Sequence, residues 1–210
     1  MKTTWLSNQE IKVALEPYVV TPDDLACDRI RAYIALLLKW NQKMSLTTVT
    51  NPSEILKFHF GESLFACPTV RISNGRLADV GSGAGFPGLA IHLLAESMEV
   101  VLIESNAKKA AFLYEVSREL DLKHVTVFRG RMEDFHSDSA SLDFVTARAL
   151  GQHAELLKWS QKHVNSGGKV ILWLGEEDMI EVSKNLSWKW NDPVKIPQSQ
   201  RRFLLIGSAT

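Results

Sequence analysis

Hydrophobic residues in the first third of the chain recur every three or four positions. Between residues 25 and 43, for example, Ile30, Ile34 and Leu37 fall on one face of a helix. No alternation of hydrophobic and polar residues, which would indicate a strand, interrupts residues 1–75. The pattern predicts an N-terminal region that is helical throughout.

Three helix starts are marked by residues that satisfy the free backbone amides of a first turn. Ser7 and Glu10 have the spacing of a capping box. Thr21-Pro22 supplies a capping hydroxyl and a proline for the first helical position, and Asn51-Pro52 opens a third helix. We therefore expect helices to begin after Ser7, Thr21 and Asn51.

From Arg76 onward, short apolar runs alternate with helical segments. The predicted strands cover 77–80, 99–104, 125–129, 142–147 and 169–174, the predicted helices cover 88–96, 106–120, 152–164 and 176–186, and a last apolar run covers 203–206. Strands that alternate with helices predict a mainly parallel sheet with helices on both faces. The predicted fold class is α/β, with an N-terminal helical extension over residues 1–75 and a ligand-binding domain over residues 76–210.

Composition and charge narrow the class of protein. Of the 210 residues, 45% are hydrophobic and 23% are charged, a globular balance, and 24 basic side chains offset 24 acidic ones. A net charge of zero argues against a protein that grips nucleic acid by its overall charge, although local basic patches stay open. Two cysteines, six scattered histidines and short apolar runs predict a soluble, cytoplasmic protein without disulfides, metal or membrane contact.

A glycine-rich loop follows the first predicted strand. Asp79 ends that strand, and Gly81, Gly83, Gly85 and Gly88 follow before the next predicted helix. Glycine lets the backbone turn sharply and lets a ligand approach closely, and a helix start presents free amide donors. We interpret the loop as a site for a nucleotide-type ligand and not as a purely structural turn.

The loop fits two classes of ligand. From Gly83 onward its glycines match the dinucleotide fingerprint, but that register begins late after the strand and places Pro87, which lacks an amide, in the first helical turn. The pattern Asp79-x-Gly81-x-Gly83-x-Gly85 is instead that of adenosylmethionine methyltransferases, and a carboxylate suits a ligand that carries an ammonium and a sulfonium group. The sequence favours S-adenosylmethionine as cofactor, with an NAD-dependent oxidoreductase as the alternative.

Three further positions follow later strands. Glu104 ends a buried strand, where its carboxylate can accept both hydroxyls of a ribose, or else cap the next helix. Met132 and Glu133 follow the third strand, where they can pack against an adenine and form a hydrogen bond to it. A plain acidic loop is the default interpretation of this stretch. Arg148 ends the fourth strand and points at the cleft beside the methyl acceptor, or else forms a surface ion pair.

With these residues in place, the chain resembles the bacterial RsmG (GidB) family, whose Rossmann-like class I fold it implies. The similarity covers roughly residues 25 to 175, and the loop with Phe86-Pro87 is more specific than a generic methyltransferase loop. The matching stretches are Trp40-Asn41 with Leu46-Thr47, Lys57 to Leu64, Asp79 to Leu89, Leu102 to Ser105 with Lys108 to Leu113, and Val145 to Ala149. A departure is Trp173-Leu174 before Gly175, where relatives often have a lysine.

The resemblance implies an enzyme that methylates N7 of a guanine in 16S ribosomal RNA. It implies cofactor contacts at Gly81, Phe86, the pair Met132-Glu133, and Arg148. Because N7 exposes a lone pair, no catalytic base is required, and Arg148 is expected only to orient the reactants. Catalysis then comes mainly from alignment of nucleophile and methyl group.

RNA is expected to bind through local basic patches. The N-terminal candidates are Arg29, Arg31, Lys39 and Lys57, and a second set lies near the C-terminus around Arg201-Arg202. The expected partner is 16S rRNA or a small ribosomal subunit particle, bound by a monomer. The alternatives are an RNA-binding factor that kept the fold without catalysis, and a methyltransferase acting on a protein or small molecule.

Overall fold

A computed structural model describes residues 6–136 and 142–209 and contains one mixed sheet of eight strands. The strands are β1 Arg76–Val80, β2 Glu99–Ile103, β3 Val125–Phe128, β4 Leu142–Arg148, β5 Val164–Gly175, β6 Trp188–Trp190, β7 Val194–Lys195 and β8 Arg202–Ala209. Their order is β3-β2-β1-β4-β5-β8-β6, with β7 paired to β8. Strands β1 to β5 are parallel, and β8 runs antiparallel to β5, β6 and β7.

Helices precede the sheet and connect its parallel strands. They are α1 Asn8–Leu15, α2 Asp24–Asn41, α3 Pro52–Ile55, α4 Glu62–Leu64, α5 Ala66–Val70, α6 Gly88–Leu94, α7 Ala107–Glu119, α8 His153–His163 and α9 Glu176–Ser183. Between α3 and α4 the chain forms a π-helix over Leu56–Gly61. In the described ranges, no helix combines the length and the apolar character that a membrane crossing requires.

The side chains of the longer strands, such as β1, β2, β5 and β8, alternate between two hydrophobic cores, as the pleat of a strand requires. Leu77 and Leu102 lie in the core that includes Ile30 of α2. Ala78 and Val101, the neighbours of these two residues along β1 and β2, lie in the second core, which includes residues of α8. Helices therefore cover both faces of the sheet, and the predicted α/β class is confirmed. The domain boundary near residue 75 stays a prediction, because helices before it share a core with the sheet.

Two of the three predicted helix starts are confirmed. Ser7 forms the capping box with Glu10, and Asn51 caps α3 through its side chain. The predicted start after Thr21 is wrong: α2 begins at Asp24, and the carboxylate of Asp23 accepts the amide of Ala26 at 2.7 Å. An aspartate so placed also complements the positive end of the helix dipole, an advantage that a threonine hydroxyl lacks.

The C-terminal part of the sheet is more extensive than the sequence predicts. Strand β5 begins five residues earlier than expected, and the last apolar run extends to the eight residues of β8. Strands β6 and β7 were not predicted, because three and two residues are too few to establish an alternating pattern. Helix α9 ends at Ser183, three residues before its predicted end.

Candidate active site

The carboxyl ends of the parallel strands meet at one edge of the sheet, and the glycine-rich loop after β1 lies there. Gly81, Gly83 and Gly85 have φ angles of +70°, +58° and +87°, a left-handed conformation that other residues rarely adopt. A side chain added at Gly83 would meet only one atom within 4 Å, a backbone oxygen at 3.8 Å. The loop thus turns sharply and leaves open space beside Gly83.

Tyr33 of α2 supports this loop from the side of the N-terminal helices. Its buried hydroxyl donates to the carbonyl of Ala84 at 2.5 Å, and its ring stacks on Phe86 with centroids 5.3 Å apart. A side chain at Gly85 would overlap the Tyr33 hydroxyl and Leu89. The N-terminal helices therefore fix the conformation of the loop, a contribution that the local sequence pattern did not reveal.

Asp79, which the sequence predicts to contact the cofactor, is fully buried beneath the glycine-rich loop. The strand register sets Thr146 beside it, and its carboxylate accepts the Thr146 hydroxyl at 2.8 Å and the Gly88 amide at 3.0 Å. Burial raises the pKa of Asp79 to about 6. The carboxylate joins β1, β4 and the start of α6, because the amides of a helix start need acceptors. A direct contact with the cofactor stays a prediction that this position does not favour.

Glu104 also binds the protein's own backbone. One carboxylate oxygen accepts the amide of Gly83 at 2.8 Å, and the other accepts the amide of Asn106 at 2.7 Å. The side chain therefore fastens the glycine-rich loop to the end of β2 and the start of α7. Each oxygen keeps a free lone pair, so the ribose contact stays a prediction.

Two adjoining cavities lie at this edge of the sheet. The larger has a volume of about 700 Å³, and Gly81, Gly83, Phe86 and Arg148 are among its lining residues. The smaller, of about 220 Å³, shares Gly81 with it and is lined by Met132 and Glu133. The structure thus brings six of the eight predicted cofactor residues to two neighbouring cavities, and leaves Asp79 and Glu104 outside both linings.

Arg148 enters a largely buried ion-pair cluster, whereas the alternative that the sequence left open for it was an ion pair at the surface. Its guanidinium lies 3.1 Å from the carboxylate of Glu62 and donates to the carbonyl of Phe58 at 2.7 Å. Arg202, at the start of β8, binds the same carboxylate at 2.6 Å. Burial lowers the pKa of Arg148 to about 10, which leaves it a cation at neutral pH. A contact between residues 62 and 202 has no local signature in a sequence.

The π-helix places a histidine against the larger cavity. Nε2 of His59 lies 2.8 Å from the Thr47 hydroxyl, and its ring stacks on Phe86 with centroids 5.0 Å apart. Burial, and then the charges of Arg148 and Arg202, lower the pKa of His59 to about 4. The imidazole is therefore neutral at physiological pH. The sequence could have suggested His59, since it lies inside a stretch that resembles the RsmG family.

The four N-terminal basic residues predicted to bind substrate line neither cavity. Arg29 pairs with Glu96 at 2.5 Å, and Arg31 pairs with Asp28 at 2.7 Å. Lys39 and Lys57 are exposed. Three other basic residues line the larger cavity: Lys109, which was not predicted, and Arg201 and Arg202 of the predicted C-terminal set. The roles of the four predicted residues stay predictions. Within residues 6–136 and 142–209, no group of three potential metal ligands was found.

The sequence is similar to a described family and to its members. The model of the family "rRNA small subunit methyltransferase G" matches residues 26–198. A ribosomal RNA small subunit methyltransferase G of Acetivibrio thermocellus is 36% identical over 169 residues, covering 79% of this chain and 70% of the relative. A protein of the same name from Streptococcus thermophilus is 32% identical over 192 residues, covering 85% and 81%.

The fold is similar to that of solved methyltransferases. A SAM-dependent methyltransferase from Aquifex aeolicus matches with a TM-score of 0.59 and 15% identity, over 83% of this chain and 97% of that one. A ribosomal protein L11 methylase from Lactobacillus delbrueckii matches with a TM-score of 0.61 and 17% identity, over 73% and 79%. At such identities the likeness establishes the Rossmann-like methyltransferase fold.

Proposed function

Because the chain belongs to the rRNA small subunit methyltransferase G family, we propose that it transfers a methyl group from S-adenosylmethionine to N7 of a guanine in small-subunit ribosomal RNA. The resemblance to the RsmG family drawn from the sequence is confirmed. One structural observation supports the proposal independently of the family relationship. The glycine-rich loop and Arg148 line the same cavity as three further basic side chains, so a cofactor and an RNA can meet there.

The residues present fit adenosylmethionine. The smaller cavity, next to Met132 and Glu133, suits the adenine, and the larger cavity begins at the glycine-rich loop. Gly83 leaves open space where a side chain would otherwise stand. Arg148 offers a cation for the carboxylate of the methionine part. We assign cofactor binding to Gly81, Gly83, Phe86, Met132, Glu133 and Arg148, with Asp79 and Glu104 holding the loop that forms the site.

Bound adenosylmethionine supplies a methyl group on a positively charged sulfur. With the cofactor held in this way, the lone pair of guanine N7 would form the new carbon–nitrogen bond, the electrons of the carbon–sulfur bond would go to sulfur, and the positive charge would pass to the guanine. No proton is removed, so no general base is needed. The residues of this chain would bind, align and shield the reactants, and orientation alone can supply roughly 7–11 kcal/mol.

RNA would approach from the side where Lys109, Arg201 and Arg202 line the cavity. These cations suit phosphates, because phosphate contacts supply most of the affinity in protein–nucleic acid binding. Only a few basic side chains line the cavity, and the chain has no net charge. We therefore propose that a partly assembled small-subunit particle is bound better than free RNA, by a monomer acting in the cytoplasm.

The proposal is tested on small-subunit particles from cells that lack the gene. The purified chain and labelled adenosylmethionine should introduce one methyl group per particle, recovered as 7-methylguanosine after digestion of the RNA. The Gly83→Val variant is the control, since its branched side chain would fill the open space at the loop. Methylation of ribosomal protein in place of RNA, or no methylation by a chain that binds adenosylhomocysteine, would overturn the proposal.

A further inference from the structure

The larger cavity has an excess of positive charge. Its charged lining residues are Lys109, Arg148, Arg201, Arg202 and, as the one acid among the described lining residues, Asp178. Adenosylmethionine has an ammonium, a carboxylate and a sulfonium, and therefore carries a net charge of +1. A cation that binds among cations is repelled unless a negative charge lies close by, and this repulsion is strongest where water is excluded.

Glu62 is the buried acid behind this cavity. Its side chain is 3% exposed, and it contacts the guanidinium of Arg148 at 3.1 Å and that of Arg202 at 2.6 Å. Arg148 is itself almost buried, whereas half of the Arg202 side chain is exposed. One carboxylate thus compensates a cation inside the site and holds a second one at its rim.

The surrounding residues hold Glu62 at this point. The backbone carbonyl of Glu62 accepts the indole N–H of Trp173 at 2.7 Å, which ties the start of α4 to β5. Gly61, just before it, has no side chain, and one placed there would overlap the ring of the buried Tyr18. The strand registers also set Arg148 beside Trp173, and Arg202 beside Gly175. The carboxylate therefore meets both arginines through contacts from three parts of the chain.

We propose that Glu62 is a positioning residue that orients Arg148 and Arg202 and offsets their charge, so that the site accepts a sulfonium cation. The inference rests on the proposed function. It predicts a property that a merely structural ion pair would lack. Loss of the Glu62 charge should weaken the binding of adenosylmethionine more than the binding of adenosylhomocysteine. The two ligands differ chiefly in the methyl group and in the positive charge on sulfur, since adenosylhomocysteine has a neutral thioether.

The Glu62→Gln variant tests this by calorimetry with each ligand and without RNA. The dissociation constant for adenosylmethionine should rise by about fivefold or more relative to that for adenosylhomocysteine, the effect expected of one unit charge in a partly buried site. The Asp24→Asn variant is the matched control. It removes a carboxylate from an exposed ion pair with Lys12, between α1 and α2, and should leave the ratio of the two constants unchanged.

Three further variants keep the test decisive if Glu62→Gln fails to fold. Arg202→Gln removes the half-exposed cation and leaves Arg148 paired with Glu62, so it should shift the ratio in favour of adenosylmethionine. The double variant Glu62→Gln/Arg202→Gln should return the ratio towards the parental value, and Glu62→Asp should preserve it.

The outcomes separate this inference from the proposed function. Parental binding of both ligands, with the same ratio in every variant that folds, would overturn the role of Glu62 and leave the function intact. A parental chain that bound neither ligand would overturn the proposed function, and the inference with it.

Discussion

At the scale of single residues, buried carboxylates organise the site mainly by accepting backbone amides. Asp79 of β1 accepts the amide of Gly88, and Glu104, just after β2, accepts that of Gly83, so acids from two strands fix the glycine-rich loop at two points. Hydrogen bonds to charged acceptors are stronger than those between neutral groups. The loop is thereby held in its left-handed turns before any ligand binds.

Burial of Asp79 gives a pH dependence of stability. Its pKa of about 6 in the folded chain exceeds the ordinary value of 3.8, because burial disfavours the ionised form. The folded state then binds more protons than the unfolded state between these values, so this group's contribution to stability falls as the pH rises from about 4 to about 6. The free energy of unfolding of the parent minus that of Asp79→Asn should decline over this range in urea titrations.

The control variant is Asp24→Asn, for which the difference in free energy of unfolding between parent and variant should change with pH in the opposite direction. Lys12 lowers the pKa of the exposed Asp24, first through a hydrogen bond, so the corresponding difference for Asp24→Asn should increase as the pH rises through the acid range. A difference for Asp79→Asn that increased likewise would show that Asp79 is ionised at low pH and that its burial is compensated.

Arg148 should matter more to turnover than to cofactor affinity. In Arg148→Ala, Glu62 keeps Arg202 as its partner, so the chain should fold. The single-turnover rate of methyl transfer should fall by about tenfold more than the loss of cofactor affinity explains, because orientation contributes to the transition state. Arg118→Ala, which removes an exposed arginine that pairs with Glu115 on α7, is the control. Equal losses in rate and affinity would limit Arg148 to cofactor binding.

At the scale of elements, regular patterns could be predicted and irregular ones could not. The alternation of strands and helices after Arg76, and the glycine-rich loop, follow from periodicity and from the backbone freedom of glycine. The π-helix over Leu56–Gly61 could not be predicted, since its apolar spacing looks helical. Such segments occur often at functional sites, and this one turns His59 towards the cavity.

Two glycines of the loop should respond differently to the same substitution. Gly83 and Gly85 both have positive φ angles, so alanine strains the backbone at either position by about 1–2 kcal/mol. At Gly83 the added methyl group would stand in open space at the larger cavity, whereas at Gly85 it would overlap Tyr33 and Leu89. Gly83→Ala should keep most of its stability and lose cofactor affinity, whereas Gly85→Ala should be destabilised considerably more.

Thermal unfolding with and without adenosylhomocysteine measures both effects. The shift in melting temperature on adding ligand should be present in the parent and greatly reduced in Gly83→Ala, because only ligand that binds the folded state stabilises it. A normal ligand-induced shift in Gly83→Ala would mean that the cofactor does not approach this part of the loop.

At the scale of the whole molecule, function depends on where charge lies and not on its total. The chain is neutral overall, yet basic residues from α7, β4 and the start of β8 converge on one cavity. The sequence predicted the glycine-rich loop and Arg148, which line this cavity, because they follow successive strands; that they bind the cofactor stays a prediction. It gave Arg202 only as a candidate RNA contact and did not identify Glu62 or the ion pair between them, since residues far apart in the chain meet only when the strands are in register.

The absence of a required base predicts how the chemistry depends on pH. Guanine N7 has no proton to lose, and His59, the imidazole that stacks on Phe86, is already neutral because its pKa lies near 4. The rate of methyl transfer in single turnovers on small-subunit particles should therefore be flat between about pH 6.5 and 8.5. Single turnovers are needed because product release can mask the chemical step. A rate that rose about tenfold per pH unit, and lost that rise in a variant of one acidic or histidine side chain, would show that the acceptor must be deprotonated and would exclude N7 as the nucleophile.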